Sequence, residues 1–480
     1  MTLQPKIFFV DLDGTLIKTD MLLESFLFQA KEQPTQLLLS ALTLTKGKAQ
    51  FKAKLAEGFE FSPENLPYCP EVLEYVRARR AEGAKVVLAT ASNSGIAQQI
   101  SAHLGCFDAV LASDEHNNLK SEHKLLAMRQ YANGAPFEYI GNSADDLPVW
   151  EAAATAKCAH PDRAAKRWFG PRLQEGDLTR TAEQTGGLGT FIKAARLHQW
   201  LKNVLVFVPL LASHKVLDLP SLMQSIVAFV AFGLCASAIY LVNDLLDLES
   251  DRAHPRKRSR PFAAGSLSLL TGIAATPGLL LLSLVLSLVF LPPLFTLCLG
   301  GYLALTLAYS FSLKKKMAVD VIVLASLYTS RILAGAAAIS TAPSFWLLAF
   351  SMFIFLGLAL VKRYAELNIL LLANKEKVSG RNYLVSDMSV VMTLGTASGM
   401  MSILVLALYI NSPEVKLLYP NPVALWAICP ILLYWITRIW MVTQRGGMHD
   451  DPVVYAMKDN VSRLTFIFAA LTVIAGSIKF

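Results

Sequence analysis

From Met1 to about Gly189 the chain alternates short apolar runs with longer polar stretches, and none of the apolar runs is long enough to cross a bilayer. KIFFVDLDGTL, from residue 6, predicts an apolar strand that runs into carboxylates, and KVVLATASN at 85–93 and EYIGNSADDLPVW at 138–150 repeat the pattern. Residues 18–80, rich in Leu, Ala, Lys and Glu, predict a small helical cap. From Trp200 onward, long apolar stretches recur between short polar loops. They predict about nine membrane-spanning helices, at roughly 202–217, 222–242, 270–291, 294–311, 318–338, 344–361, 390–410, 422–440 and 463–478, the first of them short. The expected fold class is an N-terminal α/β domain followed by an all-α polytopic membrane bundle.

Charge orients this arrangement. With the N-terminal domain in the cytoplasm, the loops after the second, fourth, sixth and eighth spans face the same side. They hold the basic cluster Arg252, Arg256, Lys257, Arg258 and Arg260, then Lys314 to Lys316, then Lys362, Arg363, Lys375, Lys377 and Arg381, then Arg438, Arg445, Lys458 and Arg463. The opposite loops offer only Lys215 and Lys416, an asymmetry that places the polar chemistry on the cytoplasmic face. The start, MTLQPKIFFVDLDG, lacks the regions of a secretory signal, so the first domain is expected to stay in the cytoplasm, with the rest multi-pass in the inner membrane. Composition agrees: 480 residues, 54% hydrophobic, 17% charged, mean hydropathy +0.44. Six cysteines without a CxxC pair read as unpaired thiols.

The soluble half concentrates its chemistry at strand ends. The first strand delivers Asp11 and Asp13, the second Thr90, the third the acidic loop at 142–146, and Lys124 stands between the last two. Strand ends that bring carboxylates, a hydroxyl and a lysine to one edge are how an open α/β sheet builds a site. Over about residues 5–160 these ordered motifs resemble the haloacid dehalogenase-like phosphatase superfamily, a Rossmann-like sheet with a small helical cap. The resemblance implies that Asp11 is the nucleophile that takes a phosphoryl group and Asp13 the acid and then the base. It implies that Thr90 and Lys124 hold the phosphoryl oxygens, and that magnesium (Mg2+) is bound by Asp11, the Asp13 carbonyl, Asn142 and Asp146. Asn142 stands where the family's usual first acid would be.

Residues 161–190 are charged, contain glycine and show no apolar period, so they predict a linker between a domain at 1–160 and a membrane domain at 191–480. Arg163, Lys166, Arg167 and Arg172, with Trp168 and Phe169, suit either anionic headgroups or solvent. A flexible coil of this length reaches on the order of 30 Å, enough for the first domain to patrol the membrane domain's mouth.

NDLLDLESDRAHPRKRSRP, residues 243–261, crowds four acidic and five basic side chains onto the end of an apolar run. If the helix continues, Asp244, Asp247 and Asp251 fall at i, i+3 and i+7 with Asn243 beside them, on one face. Like charges at that spacing need a cation, and hard oxygen ligands select magnesium on a phosphorylated substrate. Arg252, His254, Arg256, Lys257, Arg258 and Arg260 then offer partners for anionic oxygens.

This pattern resembles the UbiA prenyltransferase superfamily over about residues 190–480. In most members a second motif carries two aspartates; here YSFSLKKKMAVDVIVLASLYTSRILAG has Asp320 alone. With RLHQWLKN, DRAHPRKRSRP, KRYAEL and GMHDDPVVYAMKDNVSR, it looks like the decaprenyl-phosphate phosphoribosyltransferase branch. The resemblance implies transfer of 5-phosphoribose from phosphoribosyl pyrophosphate (PRPP) to a polyprenyl phosphate, with Asn243, Asp244, Asp247 and Asp251 holding magnesium on the departing pyrophosphate. Asp320 is then expected at the ribose hydroxyls or a second metal-bound water. Lys202, Arg258, Lys314, Lys362 and Arg363 are candidate phosphate partners. Arg331, about three helical turns from Asp320, is a candidate because an arginine in mid-span is costly in lipid; an interhelical hydrogen-bonding role is the other reading. Arg381, Arg438, Arg445 and Asp451 make weaker cases. The attached domain would remove the 5-phosphate. A prenyltransferase acting on an aromatic acceptor, and a transporter gated by the soluble domain, are the competing readings. Expected partners are the polyprenyl phosphate lipid, PRPP and membrane lipids, with no nucleic acid.

Overall fold

The structure, a computed structural model, describes residues 6–170, 186–374, 381–448 and 451–478, apart from the side chains of residues 44, 46, 48, 414 and 416. Arg172, Lys375, Lys377 and half of the expected linker, residues 171–185, lie outside the described residues, as does the side chain of Lys416. The described residues form two bodies. One groups the chain up to Ala195 with Tyr240–Thr276; the other groups Arg196–Ile239 with the chain from Pro277 onward.

The first body is built on five parallel strands, β1 (Ile7–Val10), β2 (Lys85–Asn93), β3 (Ala109–Ser113), β4 (Phe137–Gly141) and β5 (Thr155–Cys158), in the order β3-β2-β1-β4-β5. The apolar runs are nearly continuous because both faces of the sheet are covered. Phe8 and Val10 point into one core with Val72, Val76, Ile96 and Ile100, whereas Phe9 points into the other with Leu125, Met128 and Trp150. Between β1 and β2 lie the cap helices α1 (Met21–Glu32), α2 (Pro34–Leu42) and α3 (Lys48–Ala56). The cap is shorter than the expected 18–80, because Pro70–Ala81 buries Val72 and Val76 under the sheet instead. Trp168 and Phe169 are not free for headgroups either. Asp162 caps the helix Arg163–Phe169, and both rings pack on Trp150. None of the six cysteines is in a disulfide.

Among the described residues, eight helices are long and apolar enough to cross a membrane: Leu219–Leu246, Leu269–Phe290, Pro293–Phe311, Val319–Ala338, Phe345–Leu372, Val385–Ile410, Pro422–Gln444 and Asn460–Ser477. The chain is a multi-pass membrane protein. The expected first span is instead the shorter apolar run Leu197–Ala212, a 3-10 stretch to Phe207 followed by one turn of α-helix. Small residues let the helices approach closely. A Cβ at Gly357 would come within 3.3 Å of the Gly395 carbonyl, and one at Gly335 within 2.1 Å of the Val206 carbonyl.

The Gly335 contact gives a direct test. Gly335→Ala forces the backbone of Val206 away and should destabilise the second body by about 1–3 kcal/mol, read as a lower melting temperature in detergent. Gly300→Ala, with nothing within 4 Å of the added carbon, should not lower it.

Candidate active sites

In the first body, the carboxyl ends of β1, β2 and β4 meet. Asp11, directly after β1, donates its amide to the Ile140 carbonyl at 3.0 Å and is buried. The Lys124 ammonium, on the helix Glu122–Ala132, lies 2.9 Å from Asp11 Oδ1, 3.1 Å from Asp146 Oδ1 and 2.9 Å from the Tyr139 hydroxyl. Tyr139 also donates to Asp146, whose other oxygen accepts from the Asn142 and Ser143 amides at 3.0 and 3.1 Å. Asp13 accepts from Ser92 Oγ at 2.5 Å and from the Met21 amide at 2.8 Å. Thr90 is fully buried beside them, and its hydroxyl accepts from the Ser92 amide at 3.0 Å. Gly14 has a φ of +72°, and a Cβ there would lie 2.2 Å from Asn142 Nδ2, so the turn after Asp13 is closed by the Asn142 side chain. The sequence-predicted residues Asp11, Asp13, Thr90, Lys124, Asn142 and Asp146 thus share one sheet edge. Asp145 points away to a half-exposed pair with Lys120.

Burial sets the electrostatics. It pushes Asp11 up to about 6 against the pull of Lys124, and Asp13 up to about 7, with Asp20 adding to the rise. Burial also opposes the charge on Asp146 and on Lys124. Lys124, Tyr139 and two amides nevertheless hold Asp146 below the carboxylate range, and Asp11 and Asp146 hold Lys124 above the usual ammonium range. The site has one member that carries no sequence signature. Lys52 of α3 reaches back to the Ala91 carbonyl and Asn118 Oδ1, each at 2.9 Å, and burial lowers its pKa.

The acidic motif also belongs to this body. The helix Leu219–Leu246 stops at Asp247 and Leu248–Ala253 follows, yet amide bonds from Asp247 to Asn243 and from Asp251 to Asp247 carry the helical path across the break. Arg260 Nη1 bridges Asp244 at 3.2 Å and Asp251 at 2.5 Å. Asp247 is met by Lys31 of the cap at 3.0 Å, and Glu249 by the Ser62 amide at 3.2 Å. Two expected anion partners are therefore engaged elsewhere, Arg260 on the motif's own carboxylates and Arg252 on Glu24. Arg258 stays exposed. The linker expectation changes too: these contacts fix the cap on residues 247–252, where a patrolling domain would have none.

The second body holds three polar clusters. Lys202 and Lys362 converge on Asp451 at 2.8 and 3.3 Å, with the Tyr328 hydroxyl at 2.8 Å from the same carboxylate. Asp451 is buried, which alone would raise its pKa, but the two ammonium groups hold it below the carboxylate range. Asp320 and Arg363 are both fully buried and pair at 2.9 Å, and Tyr383 donates to Asp320 at 2.6 Å. Asp320 is thus sealed from the ribose contact expected of it, and Arg363, bonded also to Glu366, is sealed from phosphate. Arg331 lies elsewhere on the same helix. Its guanidinium donates to Asn203, the Leu327 carbonyl and Tyr302, and sits among the rings of Phe232, Tyr302 and Tyr328. This is the interhelical role. Lys314 is half-buried in the turn Leu313–Lys315, and Arg438 is bound to Asp459.

Among the described residues no three His, Cys, Asp or Glu side chains form a ready metal cage. The donor sets at both acidic places still fit magnesium. They are all hard oxygens, and each carboxylate pair is already bridged by one cationic side chain.

Residues 204–461 match the UbiA prenyltransferase family and residues 8–151 the haloacid dehalogenase-like hydrolases. The chain is 38% identical over 457 residues to an uncharacterised protein of Sinorhizobium fredii, covering 94% of this chain and 87% of that one. It is 37% identical over 283 residues to the nodulation protein NoeC of Azorhizobium caulinodans, covering 59% and 91%. It is 31% identical over 303 residues to a decaprenyl-phosphate phosphoribosyltransferase of Mycolicibacterium smegmatis, covering 60% and 94%.

The Lys124 cluster yields a stability prediction. Lys124→Met leaves Asp11 and Asp146 buried without their cation, which costs about 3–5 kcal/mol. Denaturant unfolding followed by the buried Trp150 should show that loss, and added magnesium should recover part of it.

Proposed function

The chain belongs to the UbiA prenyltransferase family and carries a haloacid dehalogenase-like hydrolase domain, and from that premise we propose that it is a bifunctional enzyme acting at the cytoplasmic face of the inner membrane. It moves 5-phosphoribose from PRPP to a polyprenyl phosphate and then removes the 5-phosphate. The observation that carries the reading is the sealing of Asp320 in its ion pair with Arg363. Among the described residues matched to that family it leaves one acidic patch, Asp244, Asp247 and Asp251, where an aromatic prenyltransferase of the family would use two acidic motifs. The relatives named decaprenyl-phosphate phosphoribosyltransferase support the same donor.

A polyprenyl phosphate is an anionic nucleophile near neutral pH and needs no side-chain base. Its oxygen attacks C1 of the ribose, and the bond from C1 to pyrophosphate breaks. Asn243, Asp244, Asp247 and Asp251 would hold the cation that accompanies the leaving group, at carboxylates that Lys31 and Arg260 now occupy. Arg258 and Lys314 serve the phosphates, and Lys202 and Lys362 form a further basic pair whose resident anion is Asp451. Asp320 keeps Arg363 in place.

In the first body Asp11 attacks the 5-phosphate, and the bond from phosphorus to the ribose oxygen breaks. Asp13, with a pKa pushed up to about 7, gives that oxygen its proton and then takes one from the water that releases phosphate from Asp11. Thr90 and Lys124 hold the phosphoryl oxygens. Magnesium, when bound at either place, supplies positive charge to the oxygens on which negative charge builds. Asn142 and Asp146, with Asp11 and the Asp13 carbonyl, would be its ligands in the first body. Two reactions in one chain share a local concentration on the order of millimolar.

Membranes bearing the full chain should incorporate label from PRPP into a lipid. Asp244→Asn or Asp247→Asn should lower incorporation about a hundredfold or more, with insertion intact. Label taken from a prenyl diphosphate onto an aromatic acid would establish the competing reaction. Asp11→Asn should leave transfer intact and make the 5-phosphorylated lipid accumulate, where the unaltered protein yields polyprenylphosphoryl ribose and free phosphate; identical products from both would remove the phosphatase step.

A further inference from the structure

The first turn of α1 is tied down on two sides. Toward the sheet, the Met21 amide donates to Asp13 Oδ1 at 2.8 Å, and Asp20 caps the helix by accepting from Leu22 and Leu23 at 2.9 and 3.0 Å. One turn further on, the Glu24 carboxylate accepts both Nη1 and Nη2 of Arg252, at 2.8 and 2.6 Å. These side chains are 5% and 2% exposed. The Thr19 hydroxyl donates to the same carboxylate at 2.5 Å, and the Thr19 carbonyl accepts from the Gly14 amide at 3.1 Å, closing the loop that carries Asp13. Arg252 is held from behind, since its Nε donates to the Ala263 carbonyl at 3.2 Å. Beside it Gly265, at a φ of +67°, packs so tightly that a Cβ would lie 2.5 Å from the Lys18 carbonyl oxygen.

A strut that merely docked the cap could land on any of its surface. This one lands within a turn of the amide that orients Asp13, in a pair too buried for water to replace either partner. A bidentate guanidinium and carboxylate fix direction as well as distance. We propose that Arg252, a residue of the transferase motif loop, is a positioning residue for the phosphatase site: through Glu24 it fixes the first turn of α1 and so the carboxyl of Asp13. The inference rests on the phosphatase reading of the first body. It makes the hydrolytic step depend on a loop whose neighbouring residues, Asp247 and Asp251, serve the transfer step.

The test uses the full chain in lipid nanodiscs, with p-nitrophenyl phosphate and magnesium as a substrate too small to need the lipid. Arg252→Met should lower kcat at least about tenfold, a part of what a general acid contributes, with KM changed by less than about twofold. Arg252→Lys, which keeps the charge but cannot form the two-pronged contact, should recover only part of the loss. Hydrogen exchange should quicken in the peptide from Gly14 to Leu27 of R252M while the peptides of β1, β2 and β4 exchange as before. Wild-type kcat in R252M overturns the inference. So does a loss accompanied by faster exchange throughout the sheet, since Arg252 would then only hold the domain together. A wild type no more active than D11N fails the phosphatase reading and takes this inference with it, whereas an active wild type matched by R252M overturns the inference alone.

Discussion

A carboxylate taken out of water needs a cation within hydrogen-bonding reach, and the polar architecture of this chain is arranged around that need. Lys124 lies between Asp11 and Asp146, Arg260 between Asp244 and Asp251, Arg252 on Glu24 and Arg363 on Asp320. Removing one partner of such a pair leaves an uncompensated buried charge, worth about 3–5 kcal/mol. Exposure divides the pairs into two kinds. Arg252 and Arg363 are 2% and 0% exposed, whereas Arg260 and Lys31 are 27% and 32% exposed on the acidic motif. The first kind is permanent framework. In the second, solvent reaches the cation, which can leave when a stronger one arrives.

That division fits two chemistries in one chain. A transfer site must accept and discharge polyanions, so its own charges have to be exchangeable. A hydrolytic site must keep a nucleophile and an acid in different protonation states at one pH, so its charges have to be fixed. Asp11 is buried and Asp13 half-buried; loss of water raises both, Lys124 opposes the rise at Asp11, and Asp20 adds to it at Asp13.

What is local in the sequence was legible. Three of the five strands announced themselves by apolar runs ending in polar residues, whereas the short β3 and β5 did not; eight membrane helices did so by length and hydropathy, and the two acidic motifs by spacings that a strand end or a helix turns into one patch. What joins distant segments was not. Lys31 and Asp247 are 216 positions apart, and Arg252 and Glu24 are 228. A lone lysine or glutamate in a cap helix carries no motif, so neither could be distinguished from a solvated charge. The same holds for Lys52. Asp320 illustrates the opposite error: its place in a motif suggested an open site, and only packing against Arg363 and Tyr383 reveals that it is closed. The first expected span, 202–217, is the shorter apolar run Leu197–Ala212, set back by a few residues because hydropathy does not report where a helix begins or that Leu197–Phe207 is wound as a 3-10 helix.

That short run bears on how the protein is made. Leu197–Ala212 is below the length of about 20 residues that a helix needs to cross a bilayer unaided. Its place is set by Val319–Ala338, through the bond from Arg331 to Asn203 and the close seating of Gly335 against the Val206 carbonyl. The ribosome delivers that helix only after three longer spans have already been threaded. Until then Asn203 lacks its guanidinium, and the run is held from one side only, where Trp200 donates to Ser237 and packs on Phe229 of the helix that follows it. Seating of the run is therefore completed in two stages, the first against the next helix in the chain and the second three spans later.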